Sequence, residues 1–183
     1  PSTETPVDSP TDTPTDNPAD DSVVEPGEHV FVVPVSNTEA TWHDMAFLAA
    51  IPTSSKLNGA RPLVIASETP AAMPLPTRDF IRRLSPQNVY VLGDDRANNM
   101  EGVGTVHGMA QESASDYSAA LAAEHWERSN YLVMSDAEDY AGSVLAASLA
   151  SKLEAPLVFG AVAADTLDVL VDNLGVESLV WVS

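Results

Sequence analysis

The sequence contains no cysteine and few basic residues, and both features exclude classes of function. Without cysteine there is no disulfide, no thiolate metal site and no cysteine nucleophile. The chain has 8 Lys and Arg against 27 Asp and Glu residues, a formal net charge of −19. Phosphate contacts need cations that displace counterions, so this chain is unsuited to nucleic acid and to anionic lipid. We expect no nucleic acid as a partner.

Long apolar runs are also absent. No stretch approaches the roughly 20 residues that a helix needs to span a bilayer, so we expect no membrane insertion. The apolar content of 44% is nevertheless ordinary for a globular protein. The chain starts at Pro1 without a methionine or a signal peptide, and we expect a processed form or a piece of a longer protein.

The acidic composition has two interpretations. It serves solubility alone, or it is an adaptation to high salt or to divalent cations. The second interpretation draws on the scarcity of lysine, since Lys56 and Lys152 are the two lysines in the sequence.

The first 28 residues differ from the rest in composition. They read PSTETPVDSPTDTPTDNPADDSVVEPGE, with proline at positions 1, 6, 10, 14, 18 and 26. Proline removes backbone donors and fixes φ, and so few apolar residues cannot form a core. We predict an extended arm, either a stalk with threonines suited to O-glycosylation or a plain interdomain linker. Both favour the outside of the cell.

From residue 29 onward, apolar runs alternate with Ala-rich stretches of helical length. The strands are continuous apolar runs, which predicts burial on both faces, and their alternation with helices predicts a parallel sheet covered on both sides. The predicted strands are 29–35, 61–67, 88–93, 130–135, 155–160 and 178–183, and the predicted helices are 45–57, 78–84, 140–153 and 165–175.

The two halves of this region repeat one pattern. Lys56-Leu57 matches Lys152-Leu153, and the strand that begins Pro62-Leu-Val matches the one that begins Pro156-Leu-Val. The run from Leu84 to Gly93 matches the run from Leu174 to Ser183. The order of strand, Ala-rich helix, Lys-Leu, Pro-led strand, helix and strand therefore predicts a duplicated unit. We place the first copy at 29–93, a connector at 94–114 and the second copy at 115–183.

The second copy, with the helix before it, resembles the cell-wall-binding repeat type 2 family. The matching segments are a Tyr-containing helix, a strand, and an aromatic-led helix that runs into Lys-Leu-x-Ala-Pro. They read Asp116-Tyr117-Ser-Ala-Ala-Leu121, Tyr131-Leu-Val-Met-Ser135 and Tyr140-Ala-Gly-Ser-Val-Leu145 through Lys152-Leu153-Glu-Ala-Pro156. In the first copy, Val89-Tyr-Val-Leu-Gly93 is similar to the family's strand end.

This resemblance implies a Rossmann- or flavodoxin-like layered α/β fold. It also implies a non-catalytic, extracellular module that attaches a secreted protein to polymers of the cell envelope, usually from three associated repeats. The chain has two repeats, so a threefold arrangement needs other chains. The polymers bound by the family are often anionic, which requires bridging cations or high salt here.

Three residues follow from the resemblance as binding candidates: Asp44, Tyr117 and Tyr140. Asp44 keeps the family's helix-starting Asp, which Gly142 replaces in the second copy. The family's Arg-Tyr pair reads Asp116-Tyr117.

Signs of catalysis are few. His43-Asp44 resembles half of an acid/base pair, but we expect Asp44 to cap the following helix instead. The segment from Gly102 to Gly108 fits no phosphate-loop spacing, and we expect a flexible connector there. His107 and His125 stand alone and are expected to be structural. We predict that the protein is not an enzyme.

Acidic residues follow several predicted strands, at the edge where open α/β sheets bind ligands. Hard cations such as Ca²⁺ need several such oxygens together. The candidate metal ligands are Asp94, Asp95, Asp136, Glu138 and Asp139, with Asp165 and Asp168 as a further pair. Solvated acidic loops are the alternative, and no cofactor other than calcium is expected.

Three functions remain open. The first is attachment to a cell-envelope polymer. The second is self-assembly into a surface layer or filament, with copies of the chain as partners in a homo-oligomer. The third is an enzyme on a Rossmann-like fold, a hydrolase or a nucleotide-binding protein.

Overall fold

The computed structural model describes residues 27–34, 42–67, 73–92, 102–160 and 162–183. Most of the predicted arm, together with Asp94 and Asp95, lies outside these ranges. In chain order the elements are β1 His29–Pro34, α1 Trp42–Leu57, β2 Val64–Ser67, α2 Leu75–Leu84, β3 Asn88–Leu92, β4 Thr105–Met109, α3 Ala114–His125, β5 Tyr131–Ser135, α4 Tyr140–Leu153, β6 Leu157–Phe159, α5 Ala164–Leu174 and β7 Ser178–Val182.

The strands form two parallel sheets. The first has the order β2-β1-β3-β4 and the second the order β6-β5-β7. In each sheet the strand that comes first in the chain lies between the next two strands of its half. The predicted layered α/β class is confirmed, with the strands divided between two sheets. The boundaries drawn at residues 93 and 114 stay a prediction.

Burial on both faces explains the continuous apolar runs. Four successive residues of β1, from Val30 to Val33, are fully buried. Alternate side chains point to opposite faces, so Phe31 and Val33 join one apolar cluster while Val30 and Val32 join another.

The largest cluster lies between the two sheets. It combines strand residues such as Phe31 and Phe159 with side chains from α1, α3 and α4. Alanine is the commonest residue where α1 and α4 contribute to it: Ala46, Ala49, Ala50, Ala146, Ala147 and Ala150. Small side chains let the two helices approach closely, which places the start of α4 beside α1.

Two smaller clusters cover the other faces of the sheets. Ile81 and Leu84 of α2 pack on the first sheet, and Leu170 and Leu174 of α5 pack on the second. Each sheet is therefore enclosed by helices on both sides.

The predicted connector contains a strand, so the prediction of a flexible segment over Gly102–Gly108 is wrong. β4 pairs in parallel with β3, from Asn88 opposite Thr105 to Leu92 opposite Met109. Gly104 makes the approach possible: its φ is +96°, and a Cβ there would collide with the carbonyl oxygen of Pro86. The Thr105 amide then donates to the Gln87 carbonyl at 2.9 Å.

None of the helices in the described ranges is long and apolar enough to cross a membrane.

A candidate binding depression between α1 and α4

The N-terminal turns of α1 and α4 flank an open depression of about 210 Å³. Phe47 and Leu48 of α1 and Ala66 of β2 supply its apolar lining, and Asp44 and Tyr140 supply its polar groups. Two of the three residues predicted to bind a ligand thus lie at one place, although they are far apart in the sequence.

Tyr140 is the most exposed aromatic side chain of the site. It is the first residue of α4, and 57% of its surface is accessible. Asp139 fixes this helix start, because its carboxylate accepts a hydrogen bond from the Gly142 amide at 3.0 Å and its carbonyl accepts one from the Ser143 amide at 2.9 Å. The phenol ring is therefore presented to solvent from a rigid helix end.

Further along α4, Val144 and Leu145 are also exposed, at 40% and 65%. Val144 lies one turn from Tyr140, so the two side chains share a face of the helix. The depression continues into an apolar surface on α4.

Asp44 is exposed in the first turn of α1. The expectation that it caps the helix is wrong, because α1 begins at Trp42 and therefore already includes Asp44. A carboxylate in the first turn still interacts favourably with the free amides of the helix end. Its neighbour His43 packs on Trp42, with ring centroids 4.5 Å apart. Burial lowers the pKa of His43, and the nearby charge of Asp44 opposes this effect.

The third binding candidate lies elsewhere. Tyr117 is fully buried in the large core cluster, and its hydroxyl has no hydrogen-bond partner among the described residues. Burial, reinforced by Glu124, raises the pKa of its phenol. A ligand at the depression has no access to this side chain.

The described acidic candidates for metal binding make local hydrogen bonds. Asp136 accepts from the Glu138 amide at 2.9 Å, and Asp139 caps α4. In the part of the chain that the structure describes, no group of three or more His, Asp or Glu residues could hold a metal ion. Asp94 and Asp95 fall outside that part, and the calcium hypothesis stays a prediction.

The structure also gathers residues that the sequence treats separately. His107 and His125, expected to stand alone, both pack on Tyr90, with ring centroids 4.9 Å and 4.6 Å from it. His29 stacks on the same ring at 6.0 Å. Burial, together with the charges of His29, His107 and Lys56, lowers the pKa of His125 to about 4.

The apolar lining residues and this histidine cluster had no sequence signal. Phe47, Leu48 and Ala66 look like any other core residues in the sequence. The histidines meet because parallel pairing sets Tyr90 opposite His107, which no local pattern encodes.

Comparison with known proteins gives a similarity of fold. No family model matches the chain, and no curated protein matches its sequence. Two solved structures that are similar to it are Cwp6 and Cwp8 from Clostridium difficile. Cwp6 has a TM-score of 0.66 and 19% identity over 85% of this chain, and Cwp8 has 0.68 and 16% over 87%. The chain spans about a quarter of each, 25% and 27% of their lengths.

Proposed function

We propose that this chain is a non-catalytic cell-surface module that binds a neutral, hydroxyl-rich polymer of the cell envelope at the depression between α1 and α4. The observation that carries the proposal is the shared fold: both similar structures are cell wall proteins, and the likeness covers at least 85% of this chain. Attachment is thus the function to test first.

The lining of the depression favours a neutral polymer. The ring of Tyr140 offers an apolar face, and its hydroxyl and the carboxylate of Asp44 offer hydrogen bonds to sugar hydroxyls. The residues lining it include no Lys or Arg, which are the side chains that bind phosphate and carboxylate groups. With a net charge of −19, the protein would also repel an anionic chain.

The same lining supports a non-catalytic role. General acid/base chemistry needs a proton donor and a proton acceptor placed on either side of a reacting group. Asp44 is the single carboxylate among the lining residues, and His43 is not one of them. The site has the composition of a contact surface.

Replacing the exposed tyrosine tests the site. In a co-sedimentation assay with isolated envelopes and with purified neutral envelope polysaccharide, we expect Tyr140→Ala to weaken binding about tenfold, as the loss of one aromatic contact would. Its melting temperature should match the unsubstituted protein, because the side chain is mostly exposed. Tyr131→Ala is the matched control: Tyr131 is also exposed, at 39%, but starts β5 and does not line the depression.

Three results would contradict parts of this proposal. Equal binding by Tyr140→Ala and the unsubstituted chain would exclude the depression as the site. Enrichment no greater than that of an unrelated acidic protein would exclude attachment. Binding lost steeply between 0.05 and 0.5 M salt would exclude a neutral polymer, because salt screens charge contacts and leaves hydroxyl contacts largely unchanged.

A further inference from the structure

The two sheets differ at one edge. β3, the third strand of the first half, is paired on both sides, with β1 and with β4. β7, the third strand of the second half, is paired with β5, and no described residue pairs with its other side. β7 therefore presents a free edge of backbone donors and acceptors.

Equivalent residues of the two strands differ sharply in burial. Val89 and Val91 of β3 lie opposite Val30 and Val32 of the central strand, and both are fully buried. In the second sheet, Leu179 and Trp181 of β7 lie opposite Leu132 and Met134, yet 55% and 56% of their surfaces are exposed.

The outer helices do not account for this difference. Ile81 and Leu84 of α2 cover the first sheet, and Leu170 and Leu174 of α5 cover the second in the same way. What the first sheet has in addition is the chain around β4. Val103 is 1% exposed in the cluster with Val89 and Val91, and Val106 of β4 packs against that cluster. Leu179 and Trp181 lack such neighbours.

We propose that the free edge of β7 is a docking site for one further parallel strand, supplied by the same polypeptide beyond Ser183. The occupant has the chemistry of β4: an extended segment with one apolar residue in the position of Val106 and another just before the strand, like Val103. The pairing follows β3 and β4, which are consecutive strands of one chain and parallel. Docking would cover Leu179 and Trp181 and complete a four-stranded sheet. The inference does not depend on the proposed polymer site.

An extended chain tests this proposal. Ser183 is the position that matches Gly93, so a second copy of residues 94–111 is appended after Ser183. Amide hydrogen exchange in β7, followed by mass spectrometry, should slow about tenfold or more, because its free backbone groups become paired. The indole of Trp181 should become correspondingly less accessible to acrylamide.

The control is the same extension with Val103→Asp and Val106→Asp in the appended copy alone. It keeps the length of the extension and leaves the original β4 intact, and we expect β7 to exchange as fast as in the unextended chain. Equal protection by both extensions, or by neither, would overturn the proposal. Concentration-dependent protection of β7 in the unextended chain, with dimers in light scattering, would also overturn it, because a second copy would then cover the edge.

Discussion

At the scale of single residues, buried polar rings are placed where their charged forms are disfavoured. The three histidines around Tyr90 come from β1, β4 and α3, and Lys56 adds a positive charge near His125. His125 is the one whose pKa falls furthest, to about 4, mainly through burial. The cluster is therefore stable as neutral rings, and acid disturbs it.

The stability of the protein should consequently depend on this ring at acid pH. Between pH 6.5 and about 4 the unfolded chain takes up a proton on His125 that the folded chain does not, so this contribution is present above pH 6.5 and is lost as the pH falls. The partly exposed ring is screened by solvent, so we expect a loss on the order of 1 kcal/mol relative to His125→Phe. Urea denaturation of both proteins from pH 7 to pH 4 measures it. The comparison removes the contribution of the many carboxylates, and a difference that does not change with pH would contradict the prediction.

At the scale of elements, the two helices that flank the depression start differently. α1 has an acidic residue, Asp44, inside its first turn, whereas α4 has glycine at the matching position and an acidic N-cap instead. The geometry explains the glycine: a Cβ on Gly142 would collide with the carboxylate of Asp139. The side chain has moved from the first turn to the cap, and both arrangements keep a negative charge at the positive end of the helix.

Removing the cap should destabilise α4 and the binding surface with it. We expect Asp139→Ala to lower the free energy of unfolding by about 1 kcal/mol, because the Gly142 amide loses its acceptor. Glu138→Ala, at an exposed neighbour of the same charge, should change it by less than about 0.5 kcal/mol. Chemical denaturation followed by circular dichroism checks both variants, and equal losses would show that the cap contributes nothing specific.

The elements also show how far a sequence pattern reaches. Continuous apolar runs predicted β1, β3 and β5, and α4 has the predicted bounds, because burial and helix periodicity are local properties of the chain. β4 was missed because Thr105-Val-His-Gly-Met has little apolar character, and its conformation depends on pairing with β3. Asp44 and Tyr140 were selected by resemblance, but their meeting depends on how α1 packs on α4.

At the scale of the molecule, one core serves both halves. Phe31 of the first sheet and Phe159 of the second belong to the same cluster, and both are fully buried. A further link joins α1 to the end of α3: the Lys56 ammonium lies 4.1 Å over the Trp126 ring, and the Trp126 indole donates to the Thr53 hydroxyl at 3.3 Å. The halves therefore depend on each other for burial.

A shared core predicts one cooperative transition. We expect Phe31→Ala and Phe159→Ala each to lower the free energy of unfolding by about 3 to 5 kcal/mol, the usual cost of deleting a buried phenylalanine. In each variant the whole protein should unfold together, with coincident transitions by tryptophan fluorescence and far-ultraviolet circular dichroism. Phe80→Ala, at a ring that is 42% exposed, is the control and should have little effect. A second, separate transition in either core variant would show that the halves fold independently.

The position of each strand in its sheet also sets how the molecule bears mechanical load. β1 is held by a ladder of backbone hydrogen bonds on each side, from β2 and β3, whereas among the described strands β7 is held by β5 alone. A pulling force applied through β1 must shear two ladders, while the same force applied through β7 has one to strip. Under tension the second sheet therefore yields first, from its outer strand, and the force at which it gives way is set by that single ladder.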